Sequence, residues 1–596
     1  MQPPPIPFRS APPKLVAMSA SSASRSLSLL CLCLCLALLS SHFAAASPRP
    51  RDLRFSAEDI AAVEAALPRH KKSSKSTFFE VDRPLRPPKG SSGPCSTLLL
   101  SHSFAFTLTK PPVTAAYSPP ACLQQRAGEL SLAVLEWRAE CRGVQYDRIF
   151  GVWLGGAELL RGSTAEPRRG GVAWSVSKDV TKYAPLLAAA GNATLAVYLG
   201  NLIDDTYNGV YHANLTLHLY FRRRTSTPPA PAPADAIVPV SRSLPVNDGL
   251  WFVVQNATDV QSARVAVPPN AYRAVLEVYV SSHYADEFWY MNTPEQNGPF
   301  REVTVLLDGE VVGAVWPFPV IYTGGINPLI WRPITSIGSF NFPTYDIELT
   351  PFLGKLLDGD HHEVGFKVTN ALSSWFVGAN LHLWLDGKSA KTAAGVISYD
   401  APKLAGSIVS RSADGIDGEY EATASRNITA AGWVTSSSRG NVTTTFTQRL
   451  RFTNTNVVSG HGSAQAINQT TEAVTDVAGQ QMVHQSFPLY IFLGGDGSGT
   501  ASQRLMRRVE IGFEESRVIG GGGAAATSTL RNRQAAAAEV TLRDDAVVGA
   551  TWRMHETYAY GASDGGCYVR NVSSVGYDVL FDHYDASCAA AGTLGR

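Results

Sequence analysis

Carboxylates set beside aromatic rings are the first candidates for chemistry in this chain. The stretch "HYADEFWYMNTP" (His283 to Pro294) places Asp286 and Glu287 among Tyr284, Phe288, Trp289 and Tyr290. Rings that desolvate a carboxyl group raise its pKa and ready it for proton transfer, and rings also stack on sugar faces. The plain alternative is a pair of acids facing water at a strand end. Further on, "NPLIWRPITS" sets Trp331 beside Arg332, a pairing that clamps planar or anionic groups. Upstream, "QYDRIFGVWLGG" puts Asp147 and Arg148 just before an apolar strand, where an ion pair at a strand edge explains them equally well. Asp204 and Asp205 fall in the loop "GNLIDDTYNGVYHA", where an aspartate bonding its own turn is the commoner reason for such a residue.

Other chemistries find little support. His361 and His362 are adjacent, so in a strand they point to opposite faces and cannot share one metal ion. No CxxC, HExxH, GxSxG or phosphate-binding loop is present, and no metal or cofactor is expected. A copper oxygenase of two sandwiches would need His pairs and Met ligands at strand spacing, which are not evident. A formal charge of +1, from 51 basic and 50 acidic residues, offers no field for nucleic acid or an anionic membrane.

The elements that must position these residues are strands. At 596 residues the chain is long enough for about three domains. Arg25, the apolar run "LSLLCLCLCLALL" and the small residues at Ala44 to Ser47 read as a signal peptide over residues 1–46. No later stretch of ~20 apolar residues follows, so the expectation is a soluble protein of the secretory pathway: extracellular or cell-wall, vacuolar, or in the Golgi or endoplasmic reticulum lumen. Sequons at Asn192, Asn214, Asn256, Asn427, Asn441, Asn468 and Asn571 agree with that compartment. Of the cysteines outside the leader, Cys567 is expected to pair with Cys588 and Cys122 with Cys141, leaving Cys95 over. Residues 47–92 read as a pro-segment or tether, and "TSTPPAPAPADA" over 225–236 as a semi-rigid proline linker.

The blocks on either side of that linker, 93–224 and 237–388, are related. "FGVWLGGAELLRGST" lines up with "VTVLLDGEVVGAVWP", "DVTKYAPLL" with "IELTPFLGKLL", and "NATLAVYLGN…HANLTLHLYF" with "HHEVGFKVTN…GANLHLWLDG", at offsets of roughly 150 to 170 residues. The expected fold is all-β: two tandem jelly-roll-like β-sandwiches arising by internal duplication, then a third β-rich domain over 389–596. Two sandwiches side by side leave a cleft between them. The Gly/Ala-rich run from Gly520 to Ser528 is expected to form an exposed loop open to proteolysis.

These residues also carry a resemblance. The block from "VLEVYVSSHYADEFWYMNTP" through "HHEVGFKVTNALSSWFVGANLHLWLDG" resembles the peptide N-glycanase A family of plants and fungi, amidases that remove N-linked glycans from asparagine. The similarity runs from about Cys95 to the C-terminus and is most specific over 237–388. It implies hydrolysis of the β-aspartylglucosaminyl bond of N-glycosylated peptides or proteins, without metal, converting Asn to Asp. It also implies processing into heavy and light chains that stay associated, with the run near Gly520 as the place for the cut. A bacterial peptide N-glycanase is a more distant likeness, with an Asp-Arg pair, a Glu-Phe pair and an Arg after an Asn-Pro turn. Asp147–Arg148, Glu287–Phe288, and Arg332 after Asn327–Pro328 occur here in that order, although Trp289 replaces a cysteine and Asp286 adds a second acid.

The resemblance therefore implies Asp147 as principal catalytic carboxylate and Glu287 as its partner, with Arg148 and Arg332 holding the carboxylates and the carbonyl oxygen. Trp289, Tyr290 and Trp331 would line the sugar site, with Asp286 and Asp204 as further contacts. A glycan-binding lectin on the same scaffold is the alternative. Conversion of Asn to Asp separates the two, since binding alone cannot produce it.

Overall fold

The computed structural model describes residues 75–167, 170–223, 232–412, 417–496, 502–520, 525–544 and 546–587. A five-stranded sheet runs in the order Ser76–Thr77, Val172–Asp179, Leu130–Arg142, Val210–Phe221, Ser92–Phe104, and a four-stranded sheet in the order Val113–Tyr117, Ala193–Leu199, Ile149–Leu154, Ala157–Ser163. The same pattern recurs downstream. Thr344–Glu348, Ala271–Ser282, Trp375–Leu385 and Ala236–Val240 form one sheet, with Phe252–Val254 also on the Trp375 strand, and Gln261–Val265, His362–Val368, Val303–Leu307 and Glu310–Val315 form the other. Strand for strand the neighbours match, which is the expected duplication seen as topology. The shared hairpin has a local cause. Gly155 (φ 58°) and Gly156 (88°) make the first turn, and Asp308 (50°) and Gly309 (83°) the second, the left-handed pair that a two-residue hairpin requires.

Within the first pair of sheets, Trp137 of one stacks on Phe150 of the other at 4.5 Å, in a core filled by alternate residues of both. The strand Ala271–Ser282 reads "AYRAVLEVYVSS" and is buried on both faces. Leu276, Val278 and Val280 enter the core of the second pair of sheets, while Glu277, Tyr279 and Ser281 meet the first pair.

That meeting is polar and closed. Arg161 and Glu158, both fully buried, form a two-pronged ion pair at 2.7 Å. Arg161 also donates to Ser281 Oγ at 3.1 Å and to the Phe376 carbonyl at 2.6 Å. Beside it Glu277 accepts from Lys182 and from Tyr183 at 2.6 Å, and meets His382 at 3.1 Å. Burial alone would raise its pKa, but Lys182 and His382 hold the Glu277 carboxyl well below the usual range. Asn380 completes the seam with two bonds to the Glu158 backbone.

An eleven-stranded sheet, from Ala393–Asp400 to Asp578–Asp585, covers the second pair of sheets. Gln448 imitates a strand neighbour, bonding Ala314 N at 3.0 Å and O at 2.8 Å. Asn454 donates to the Tyr290 carbonyl, Gln534 to that of Thr335 and Trp552 to that of Arg332. Val303–Leu307, lying under this cover, is buried at every position.

Several expectations need correction. From Lys75 on, the supposed tether is part of the fold: Ser76–Thr77 pairs with Val172 and Ala173, and Phe78 and Val81 are buried. Cys95 is bridged to Cys122 with Cα atoms 6.7 Å apart, and Cys141 is the free thiol. The reason is the side each occupies. Cys141 points into the core from a central strand, while Cys95 sits on the edge strand nearest the short helix Ala121–Arg126. Cys567 is in a disulfide, and its expected partner Cys588 lies outside the described residues. So do the signal peptide, most of the proline linker and residues 521–524 of the Gly/Ala run, whose flanks Ser502–Ile519 and Ala526–Arg543 are paired strands. Six of the sequon asparagines are exposed, and Asn571 is part-buried.

Two outcomes follow from the seam and the N-terminal strand. Arg161→Met strands Glu158 in a closed interface, and thermal or denaturant unfolding should register a loss of about 3–5 kcal/mol. Glu80 accepts from Gly338 N at 2.8 Å and Phe340 N at 2.7 Å, yet burial outweighs these bonds and pushes its carboxyl up to about 8. A pKa raised on folding favours the native state most below the unfolded value near 4.5 and loses that contribution as pH climbs toward 8. The melting temperature should thus fall from pH 5 to pH 8, and Glu80→Gln should flatten that fall.

Candidate active site

Where the two pairs of sheets meet, strand ends and loops from both enclose a cavity of about 650 Å³. Asp147 and Arg148 reach it from the segment leading into Ile149–Leu154, and Glu287 and Phe288 from the turn that follows Ala271–Ser282. Side chains at strand ends, held by rigid sheets behind them, are well suited to point chemistry into such a space.

Asp147 stands against Gly324 of the second pair of sheets, whose N–H bonds its carboxylate. Burial raises the Asp147 pKa above the usual range, while the Gly324 bond and the Arg148 charge pull against that rise. Only glycine fits at 324. A Cβ there would lie 2.5 Å from Asp147 Oδ1 and 2.7 Å from Glu166 Oε2, so its bare backbone lets two carboxylates converge. Glu166 in turn accepts from Arg332 Nη2 at 3.0 Å. Across the junction Thr323 Oγ1 donates to the Thr164 carbonyl at 2.7 Å, and Arg148 N donates to Thr164 Oγ1 at 2.8 Å.

The adjacent acids Asp286 and Glu287 have different fates. The strand ends in a single 3-10 turn, Tyr284–Asp286, which sends successive side chains in different directions. Asp286 is fully buried and satisfied: Arg301 donates through Nη2 at 2.6 Å and Nε at 3.1 Å, Leu372 N at 2.8 Å and Trp375 Nε1 at 2.7 Å. Glu287 lines the cavity. Tyr322 shows that Glu287 and Asp147 share one environment. Burial first, then the Glu287 charge, with Asp147 adding to it, drives its phenol well above the usual value. His283 is neutral, since burial and the nearby Arg161 push its pKa well down. Arg148 is thus the one charged cation lining the cavity among the described residues. Its guanidinium is tied to Gln145 Oε1 and lies over the Tyr146 ring at 5.2 Å.

Other expected site residues lie elsewhere. Trp289, Tyr290 and Trp331 are in the hydrophobic core, because the eleven-stranded sheet covers the loops that carry them. Trp331 Nε1 is directed to the Gly325 carbonyl at 2.8 Å. Arg332 is buried behind the cavity, where Nη2 donates to Glu166 and Nη1 to the Tyr577 hydroxyl. Asp204 closes a turn by accepting from Thr206 N and Tyr207 N, and the Tyr207 ring then packs on Tyr146 at 4.4 Å. The rings that do line the cavity are Tyr146, Tyr198, Trp251, Tyr284, Phe288, Tyr322 and Phe376. Glu166 was readable only through register: Ile149 pairs with Ser163, so residues just outside that hairpin lie side by side. Among the described residues no group of three His, Cys, Asp or Glu side chains could hold a metal ion, and no helix is long and apolar enough to cross a membrane.

Comparison with known proteins joins this geometry to a family. Residues 84–402 match the family described as peptide N-acetyl-β-D-glucosaminyl asparaginase amidase A, and residues 419–489 match its C-terminal domain. The peptide-N4-(N-acetyl-β-glucosaminyl)asparagine amidase A of Prunus dulcis is 47% identical over 544 residues, spanning 86% of this chain and 93% of that one. Among solved structures, PNGase F, a glycosylasparaginase from Flavobacterium meningosepticum, is 14% identical over 49% of this chain and 96% of its own, with a TM-score of 0.34. PNGF-II is 11% identical over 49% and 65%, also at 0.34. On the breadth of the match to the family and the identity to the Prunus dulcis protein, the chain belongs to the peptide N-acetyl-β-D-glucosaminyl asparaginase amidase A family.

Proposed function

We infer that this protein hydrolyses the amide joining an N-glycan to asparagine in glycopeptides and glycoproteins, releasing the glycan as a glycosylamine and leaving aspartate. The observation that carries the reading is that Asp147 and Glu287, from different pairs of sheets, line one cavity and both act on Tyr322.

In this reading Asp147 takes a proton from water as the water oxygen bonds the asparagine side-chain carbonyl carbon and the C=O electron pair moves onto oxygen. Arg148 polarises that carbonyl and steadies the oxyanion. The C–N bond then breaks, the proton passes to the departing glycosylamine nitrogen, and Glu287 orients the first sugar or shuttles the proton. A carboxylate whose pKa is raised by burial is a stronger base than an ordinary one, so its environment serves the first step. Glu166 and Arg332 act one layer out, setting the Gly324 loop against Asp147. The exposed sequons and the Cys95–Cys122 bridge support work in an oxidising secretory compartment.

Asp147→Asn should slow glycan release by about two to four orders of magnitude. Its melting temperature should hold, because a neutral amide suits a site that already disfavours charge. Mass spectrometry of the peptide reads both glycan loss and conversion of Asn to Asp, and release at the wild-type rate would reject the assignment. Activity should also fall as pH drops through the raised Asp147 pKa, since the protonated group cannot act as base. Arg148 holds that pKa down. Arg148→Gln should therefore move the acid limb of kcat/KM to higher pH, and an unmoved limb would count against Asp147 as the base.

A further inference from the structure

Backbone strain is concentrated at this cavity in a way the hydrolytic residues do not explain. Nine described non-glycine residues have positive φ: Asn297, Asp308, Asn370, His461, Asp544, Asp248, Thr109, Tyr284 and Ile326. Asn, Asp and His tolerate that region, while β-branched and bulky residues rarely adopt it. The three that break the rule, Thr109 (58°), Tyr284 (53°) and Ile326 (63°), all line the cavity, and so does Asp248 (68°).

Tyr284 departs furthest from expectation. A turn needing only a left-handed residue would take Gly or Asn. Here it takes a tyrosine that is 70% exposed, the most exposed large apolar side chain among the described residues, so the ring gains little from burial. Its conformation is held by its neighbours. His283 N donates to the Ser374 carbonyl at 2.8 Å and Ser374 N returns a bond of 2.8 Å, Glu287 N donates to the Tyr284 carbonyl at 3.1 Å, and the Asp286 anchor follows. Strain maintained this way at a cavity rim is a mark of binding.

Asp248 complements it. Tyr198 donates to Asp248 Oδ1 at 2.7 Å, and Oδ2 has no hydrogen-bond partner among the described residues. An exposed aromatic face beside a carboxylate oxygen that can accept from a hydroxyl is suited to a pyranose ring, which offers C–H groups on its face and O–H groups at its edge.

We propose that Tyr284 and Asp248 form a pyranose subsite beyond the scissile linkage, with Tyr284 the residue that sets how tightly the glycan is held. The proposal rests on the hydrolase reading for its substrate but not for its geometry. Asp147 and Glu287 carry out the bond exchange, and the Tyr284 wall selects what is presented to them.

The test compares wild type with Tyr284→Phe, Tyr284→Ala, Tyr284→Gly and Asp248→Asn. KM and kcat are measured on one N-glycopeptide, and Ki for the free glycan that the wild type releases from it. Tyr284→Ala and Tyr284→Gly should raise KM and Ki by about tenfold with kcat unchanged, and Tyr284→Phe should keep wild-type values. Asp248→Asn should weaken glycan binding in the same sense. Tyr284→Gly removes the strain, so its melting temperature should equal or exceed that of the wild type, which separates loss of contact from loss of fold. Unchanged KM and Ki in Tyr284→Gly overturn the subsite while leaving the hydrolase reading intact. If the wild type releases no glycan, the hydrolase reading falls, and calorimetric titration of a separately prepared N-glycan onto wild type and Tyr284→Gly decides the subsite by itself.

Discussion

The closed polar seam between the two pairs of sheets is the constraint on which the cavity depends. Arg161 and Glu158 would be costly to bury without each other, and Glu277 would be costly without Lys182, Tyr183 and His382. Such groups find partners in one relative placement of the sheets, because a small slide leaves charges unpaired. An apolar seam of equal area would tolerate slippage, since apolar contact is largely indifferent to direction. Opposed carboxylates from separate halves need a fixed spacing, and directional bonds supply it.

Duplication explains why the seam and the cavity lie together. The two halves share a strand order, so the hairpins Ile149–Ser163 and Val303–Val315 are structural counterparts, yet they now do different work. The first carries Arg161 in the seam and ends beside Asp147 and Glu166. The second is covered by the eleven-stranded sheet through Gln448 and serves as core. Covering one half on its far side leaves the near side as the place where loops stay open to solvent.

Legibility in the sequence follows how local each signal is. Alternation and the Gly-Gly and Asp-Gly turns made the all-β duplicated fold readable, because period and turn chemistry act over a few residues. Asp147, Arg148 and Glu287 were readable as candidates because they sit where alternation stops. Trp289, Tyr290 and Trp331 were misread: an aromatic next to an acid looks the same whether a sugar or a third sheet covers it, and only the packing of residues beyond 390 tells them apart. Glu166 required strand register, and the Cys95–Cys122 pairing required knowing which face of its strand Cys141 occupies.

The aromatic setting of Asp286 and Glu287 therefore has a cause in the architecture. Trp375, which bonds Asp286, and Trp289, packed on Trp375 at 6.1 Å, insulate a buried ion pair with Arg301. In that low-dielectric surrounding the pair is strong, provided every lone pair is satisfied, and here the carboxylate has four donors. The turn is thereby pinned at its centre. Rigidity at Asp286 is what allows Tyr284 to remain left-handed on one side and Glu287 to stay on the cavity wall on the other. One acid serves the architecture so that its neighbour can face the cavity, and the two adjacent acids are an anchor beside a cavity-lining carboxylate.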